Sequence, residues 1–354
     1  MRSMNIAQAT ARYEAWLGRH LRILPDDLEL KHERMQSAPF PFLRGTYYRW
    51  AQTWAGICGE AAHAPNALAV GDLHIENFGT WRDVEGRLIW GINDFDEAWP
   101  LPYTNDLIRL GASALLAKMS CGGKEAIQAV LEGYSQAVEA GGRPFVLAEH
   151  NPTLRQMATA RLHAPDAYWE KLRGLPECAA PASARKAIER MMPEEGLKSR
   201  IGHRIAGLGS LGRERYVALA DWHGGSVARE AKALAPSACV WAENGKGTAA
   251  IHYQQILDRA VRCQDPFVHM RKRWIVRRLA PDCSRIELSA LPEQRDEMRL
   301  LYAMGFETAN IHLGSVKPRV LRLDLKARPK DWLFTAARRM EKAVLRDFRE
   351  YARS

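Results

Sequence analysis

Apolar and polar positions alternate along this chain with two different periods, and the changes of period divide it. Residues 5–22, 26–37 and 43–57 repeat at helical spacing, the second opened by Pro25-Asp26-Asp27 with acids at its N-terminus. Ser37-Ala38-Pro39-Phe40-Pro41-Phe42 interrupts the pattern and predicts a break. Ala67-Leu68-Ala69-Val70 predicts a short buried strand, Gly71 to Gly79 a loop. Gly79 to Asp94 predicts a hairpin turning at Asp83-Val84-Glu85-Gly86, with Leu88 to Ile92 as its second strand. Helical spacing returns over 105–119, 123–140, 152–162, 165–174 and 182–192. Strands follow at Arg204 to Leu208, Arg215 to Ala220 and Ser226 to Lys232, the last two joined at Gly224-Gly225. A helix over 249–264, a strand at Trp274 to Leu279 and helices over 292–314 and 331–352 complete the pattern. No internal repeat or low-complexity tract is present.

Composition narrows the class. The 354 residues are 47% hydrophobic and 26% charged, which argues for a globular chain rather than a disordered one. No apolar run reaches membrane-spanning length, and Met1 to Arg22 does not read as a secretory signal. Cysteines at 58, 121, 178, 239, 263 and 283 include no Cys-x-x-Cys. That spacing points to neither a zinc site nor a disulfide framework and predicts a reducing, cytoplasmic setting.

The net charge of +10 first suggests nucleic acid or acidic lipid. It is unevenly placed. Residues 61–110 carry a net −5 and residues 198–280 a net +9.

The acidic block holds Gly71-Asp72-Leu73-His74-Ile75-Glu76-Asn77, then Asn93-Asp94-Phe95-Asp96-Glu97, each following an apolar strand. Phosphoryl transfer needs a carboxylate to take the hydroxyl proton, and a carboxylate with an amide oxygen to hold magnesium. Asp72 and Asn77 are five apart, the spacing of a kinase catalytic loop, and Asp94 ends the next hairpin, as a kinase magnesium ligand does. Asp72 is the expected base. Asn77 and Asp94 are the expected metal ligands, with Asp96 as an auxiliary metal carboxylate. The bland alternative is a set of turn and cap residues. Asp106 reads equally as a brace for the loop or as an ordinary acid at a helix start. A rival chemistry would use Asp72, His74, Asp94 and Asp96 for a metal pair in a phosphoesterase, with His63, His203 and His252 available but at no recognisable spacing. His74 is expected to pack or hydrogen-bond within the loop.

The basic block holds Gly207-Leu208-Gly209-Ser210-Leu211-Gly212 between strand patterns, with Lys232 ending a later strand. Strand, glycine loop, strand is the arrangement that covers ATP phosphates in kinase-like enzymes. Gly207, Gly209, Ser210 and Gly212 are the expected phosphate cover and Lys232 the neutralising cation. The alternative is a glycine hairpin and a solvent lysine. The next helix offers Asp258, and no glutamate, as a partner for that lysine. Arg271-Lys272-Arg273-Trp274 and Arg277-Arg278 supply a nucleic-acid alternative, with Trp274 stacking on bases.

Ala38 to Thr46, Gly71 to Gly79 and Asn93 to Ala98 closely resemble the uncharacterised bacterial family called domain of unknown function 2252. Gly207 to Gly212, Lys232 to Ser237 and Val276 to Leu279 resemble its pattern more loosely, and Lys232-Ala233-Leu234 stands where relatives tend to carry Lys-Glu-Ala. The resemblance covers about residues 30–350. It implies a cytoplasmic bacterial protein with no established reaction, and Arg44 as a phosphate or loop anchor. The 71–77 loop is also similar to that of aminoglycoside phosphotransferases. Because the glycine loop follows the catalytic loop, these resemblances together imply an α+β, kinase-like, two-lobed fold that is circularly permuted. The expected units are a helical lobe over 1–199, a nucleotide lobe over 200–280, and helices over 281–354 that complete the first lobe. The leading expectation is an ATP- and magnesium-dependent phosphotransferase (or nucleotidyl transferase) of unknown acceptor. The alternatives are an inactive nucleotide- or protein-binding module on that fold, and a basic nucleic-acid-binding protein, the less favoured partner. No membrane partner is expected.

Overall fold

The computed structural model describes residues 4–117, 120–147, 151–159, 165–244, 249–281, 283 and 294–353. Over these residues the chain is a mixed α/β protein with several sheets, 51% helix and 17% strand. Its hydrophobic core is led by one cluster reaching from Ile6 to Tyr351, with two small satellites.

The N-terminal helices Ile6–Leu17, Pro25–Ser37 and Tyr47–Cys58 lie close to expectation. The predicted break at 37–42 is smaller than expected. Only Ala38 is extended, and Pro39–Gly45 forms its own short helix. Pro39 and Pro41 fall in its first turn, where amide hydrogens have no intrahelical partner to lose.

Strand β1 (Asn66–Ala69) precedes the hairpin β2 (Phe78–Arg82) and β3 (Leu88–Ile92), which turns at Asp83–Gly86. Strand β4 (Trp99–Pro102) returns against β1, and β5 (Phe145–Val146) borders β3. Every side chain of β3 is buried, so alternation gives no register signal there.

Residues Arg200–Leu279 supply a five-stranded antiparallel sheet in the order β6 (Arg200–His203), β7 (Arg215–Trp222), β8 (Gly225–Ala233), β10 (Trp274–Leu279), β9 (His269–Arg271). The first strand ends where the sequence pattern began it, so 204–208 belongs to the loop. The β7–β8 turn is His223–Gly224, because Trp222 pairs with Gly225 and both intervening residues have positive φ. On one face of this sheet Arg215 lies opposite Lys232 and Arg277 opposite Glu230. Two-residue periodicity puts Glu230 and Lys232 on that same face.

The helix Gln294–His312 crosses the helix Gly123–Ala140 at two glycines. A Cβ on Gly133 would stand 1.9 Å from the Tyr302 carbonyl oxygen, and one on Gly305 the same distance from that of Val130. This close approach sets Glu307 and His312 beneath β3 and β1. The helices Thr104–Leu116 and Trp332–Tyr351 pack together on the other side of the loop that follows β1.

Candidate functional site

The loop after β1 is held from below by one carboxylate. Asp106, fully buried in the first turn of the helix Thr104–Leu116, accepts from the amides of Val70 (2.7 Å) and Gly71 (3.0 Å). Its Oδ2 also lies 3.0 Å from Nε2 of buried His312, whose Nδ1 meets the Tyr134 hydroxyl at 2.9 Å. Both readings of Asp106, loop brace and helix acid, thus describe one residue. Gly71 is required here: its φ is +82°, and a Cβ would stand 2.3 Å from the Glu97 carbonyl oxygen.

Asp72 is held from the side by Arg109, a residue the sequence pattern gave no reason to single out. Arg109 Nε donates to Asp72 Oδ1 at 2.9 Å, its Nη2 reaches the same oxygen, and Nη2 also donates to the Leu43 carbonyl. The guanidinium lies between the rings of Tyr47 and Trp50, 4.9 and 4.8 Å from their centroids. Burial raises the pKa of Asp72 above the usual aspartate value, against the pull of Arg109. A lone arginine in the apolar run from Leu107 to Leu116 was the available signal.

Asn77 joins the two acidic loops. Its Nδ2 donates to the carbonyls of Asp94 (3.1 Å) and Asp72 (3.3 Å), and the Asn93 amide donates to the Asn77 carbonyl at 3.2 Å. Its Oδ1 is buried with no hydrogen-bond partner.

Lys232 reaches Asp94 from the five-stranded sheet. Its Nζ lies 3.1 Å from both Asp94 oxygens and 2.6 Å from Asp96 Oδ1. The lysine partner is therefore this carboxylate pair. Asp258 instead accepts from Gln254 within its own short helix, Tyr253–Arg259. Burial opposes ionisation of Asp94, but the Lys232 ammonium, a hydrogen bond with Asp96 and the Arg277 charge together outweigh it and hold the pKa well below the usual range. Burial and the neighbouring Asp94 charge push Asp96 the other way. Arg213, itself buried, pairs with Glu97 at 3.2 Å and with Asp96 at 3.5 Å. Glu97 in turn accepts from the Ala238 amide and the Ser237 hydroxyl.

The structure brings Asp72, Asn77, Asp94, Asp96, Gly207, Gly209 and Ser210 to one small cavity of about 50 Å³, with Lys232 bonded to its carboxylates. A Cβ on Gly209 would stand 3.3 Å from Asp72 Oδ2 and 3.1 Å from the Arg44 carbonyl oxygen, so the glycine loop lies directly on the acidic loop. Ser210 Oγ accepts from Arg215 Nη2 at 2.7 Å. Gly212 is not among the residues at the cavity. It packs on Leu28, and its carbonyl accepts from the Leu24 amide. Lys31 also lines the cavity, its pKa pushed down to about 8 by burial. Arg44 pairs with Glu76 and anchors the loop.

A second cavity, of about 580 Å³, adjoins the first. Gly207 lines both, and within 93–96 the side chains alternate, Asn93 and Phe95 facing the large cavity and Asp94 and Asp96 the small one.

Oxygen donors at Asn77 Oδ1 and Asp94 suit magnesium, and the unpartnered amide oxygen is the observation that fits it. Among the described residues no group of three or more His, Cys, Asp or Glu is placed to hold a metal ion. His63 pairs with Glu60, His203 with Asp27 and His252 with Gln255, so the three are engaged apart from the acidic loops. His74 Nδ1 accepts from the Glu76 amide inside its loop. Trp274 is 1% exposed and donates to Ser183, which removes it as a base-stacking surface.

No helix among the described residues is long and apolar enough to cross a membrane. No curated protein and no solved structure matches the chain. Residues 22–158, which contain Arg44, Asp72, Asn77, Asp94, Asp106 and Arg109, match the model of the family DUF2252, described as an uncharacterized protein conserved in bacteria.

Proposed function

We propose that the protein is an ATP- and magnesium-dependent phosphotransferase with a circularly permuted, kinase-like arrangement. The observation that carries this reading is the bond between Lys232, two strands past the glycine loop, and both oxygens of Asp94, next to the unpartnered Asn77 Oδ1. A loop base, an amide, a hairpin-end carboxylate and a strand lysine converge here from segments more than a hundred residues apart.

In this reading Asp72, its carboxylate oriented by Arg109 and its pKa raised by burial, accepts the proton of an acceptor hydroxyl. The acceptor oxygen bonds to the γ-phosphorus, the bond to the β-bridging oxygen breaks, and the nucleoside diphosphate leaves with that electron pair. Magnesium, when bound, would sit on Asn77 Oδ1 and Asp94 and neutralise charge on the phosphates. Lys232 adds a buried ammonium beside the same oxygens. Isothermal titration with magnesium–ATP tests the reading. Binding that Asp94→Asn abolishes is expected; no nucleotide binding by the wild type would overturn it.

A second reading, an inactive binding module on the same arrangement, is favoured by one feature. The cavity at Asp72 is about 50 Å³, room for only a few waters, and Lys232 occupies both oxygens of Asp94. Turnover lost on Asp72→Asn with binding retained would exclude the inactive module. Retained binding without turnover in either protein would support it.

A further inference from the structure

The 580 Å³ cavity has a charge that the carboxylate centre does not explain. Among the described residues seven arginine and lysine side chains line it against one carboxylate, Asp265, whose pKa burial raises. Behind it Glu230, fully buried on β8, is shared by three guanidinium groups. Its Oε1 accepts from Arg215 (3.0 Å) and Arg277 (2.9 Å), and its Oε2 from Arg204 (2.5 Å). Burial disfavours that carboxylate, yet the three arginines hold its pKa well below the usual value. One fixed anion thus orders three cations and leaves two positive charges in excess.

Arg278, next in the strand and on its opposite face, makes no ion pair among the described residues, and the acid on which its charge acts is Asp265. Its guanidinium stacks on Phe267 at 4.4 Å, and Nε and Nη2 are buried without a hydrogen-bond partner. Leaving cationic donors desolvated and unpaired is costly unless an anion completes them. Arginine forks match the paired oxygens of phosphate groups. A concave volume of this size suits a small molecule. It shares Gly207 with the small cavity, and Asn93 on its wall is followed in the chain by Asp94 on the wall of the other.

We propose that this cavity binds a polyphosphate group directly through Arg204, Arg215, Arg277 and Arg278, without requiring a divalent metal. The proposal rests on the phosphotransfer reading only for the direction in which the phosphate chain points, toward Asp94. Its source is either a nucleotide or inorganic polyphosphate.

Calorimetric titration of the full-length protein with inorganic triphosphate in EDTA tests it. Binding is expected, weakening steeply as salt is raised. Arg278→Gln breaks no ion pair among the described residues and leaves Arg262 and Arg277 acting on Asp265; it is expected to weaken binding about tenfold, the loss of one charge-assisted hydrogen bond. Arg277→Gln is made together with Glu230→Gln, so that a misfolded single variant cannot mimic the result; circular dichroism checks the fold. ATP binding tighter than triphosphate identifies a nucleotide, and equal binding identifies inorganic polyphosphate. No triphosphate binding in EDTA, or unchanged binding by Arg278→Gln, would overturn the proposal. Triphosphate binding without any ATP turnover would instead count against the phosphotransfer reading alone. Magnesium–ATP turnover without metal-free triphosphate binding would count against this proposal alone.

Discussion

Asp72 and Asp94 are both half-buried aspartates facing one cavity, and each is hydrogen-bonded to one buried cation, yet the two pairs are built differently. Arg109 is fully enclosed, clamped between two aromatic rings and bonded to a backbone carbonyl as well as to Asp72. Lys232 stands at the end of a strand and shares its ammonium between Asp94 and Asp96. The first pair is fixed within the helical framework; the second spans two separate sheets. The titration behaviour divides accordingly. The pKa of Asp72 is raised by burial, whereas that of Asp94 is lowered despite burial by Lys232, Asp96 and Arg277 together. Two carboxylates pushed apart in this way suit a proton acceptor and a permanent anion.

The largest expected effect comes from removing either cation. Arg109→Met leaves Asp72 without a hydrogen-bonded cation, with only the Arg44 charge acting on it, and is expected to cost about 3 kcal/mol in urea unfolding. Lys232→Met should cost less, because Arg213 remains near Asp96 and Asp94 keeps 28% side-chain exposure. Equal losses would break the comparison. Adding Asp96→Asn to Lys232→Met is expected to recover part of the loss, since it removes one of two like charges.

Next in size are the carboxylates themselves. Asp72→Asn is expected to lower turnover by about a thousandfold while magnesium–ATP binding survives. Asp94→Asn should lose both. A variant at Asp72 that loses nucleotide binding to the same degree would erase the proposed difference in role.

A smaller effect concerns the pH dependence of turnover. With Asp72 as base, activity should rise with pH through a single ionisation lying above the usual aspartate value. A rise at or below the ordinary value would contradict the burial argument.

The last effect, on stability rather than turnover, lies beneath the hairpin. Glu307, pushed up to about 7 by burial against the pull of Arg262, accepts from the Ile92 amide and from Asn310. Its folded state holds the proton more tightly than the unfolded chain, whose value is near 4.5. The stability associated with it is therefore full below about pH 4.5 and falls as pH rises to about 7. Thermal unfolding across that window should show the decline, and Glu307→Gln should flatten it.

Much of the helical and strand pattern was legible because each element repeats a burial period. The hairpin β2–β3 and strand β10 were found within a residue, as both are short apolar runs bounded by turns. The helix Pro39–Gly45 was not, because proline in a first turn looks like proline in a break. The helix Pro318–Ala327 and strands β4, β5 and β9 were missed as well. All three strands are four residues or fewer, too short to display a period. In the candidate site, Asp72, Asn77 and Asp94 stood out by spacing. Arg109 and Glu230 did not, since a charge inside an apolar pattern carries no label for its partner.

Spacing along the chain determined the two acidic loops, the glycine turn, and the separation of a −5 block from a +9 block. These are local properties, readable because strand ends and turns demand particular residues nearby. Only the tertiary structure decided that Lys232 meets Asp94 and Asp96 rather than Asp258, that Trp274 is buried, and that the basic block lines a cavity around Glu230. Those outcomes depend on which sheet face turns toward which loop. Packing sets that orientation through contacts far apart in sequence, among them the Gly133–Gly305 helix crossing and the arginine clamp on Asp72.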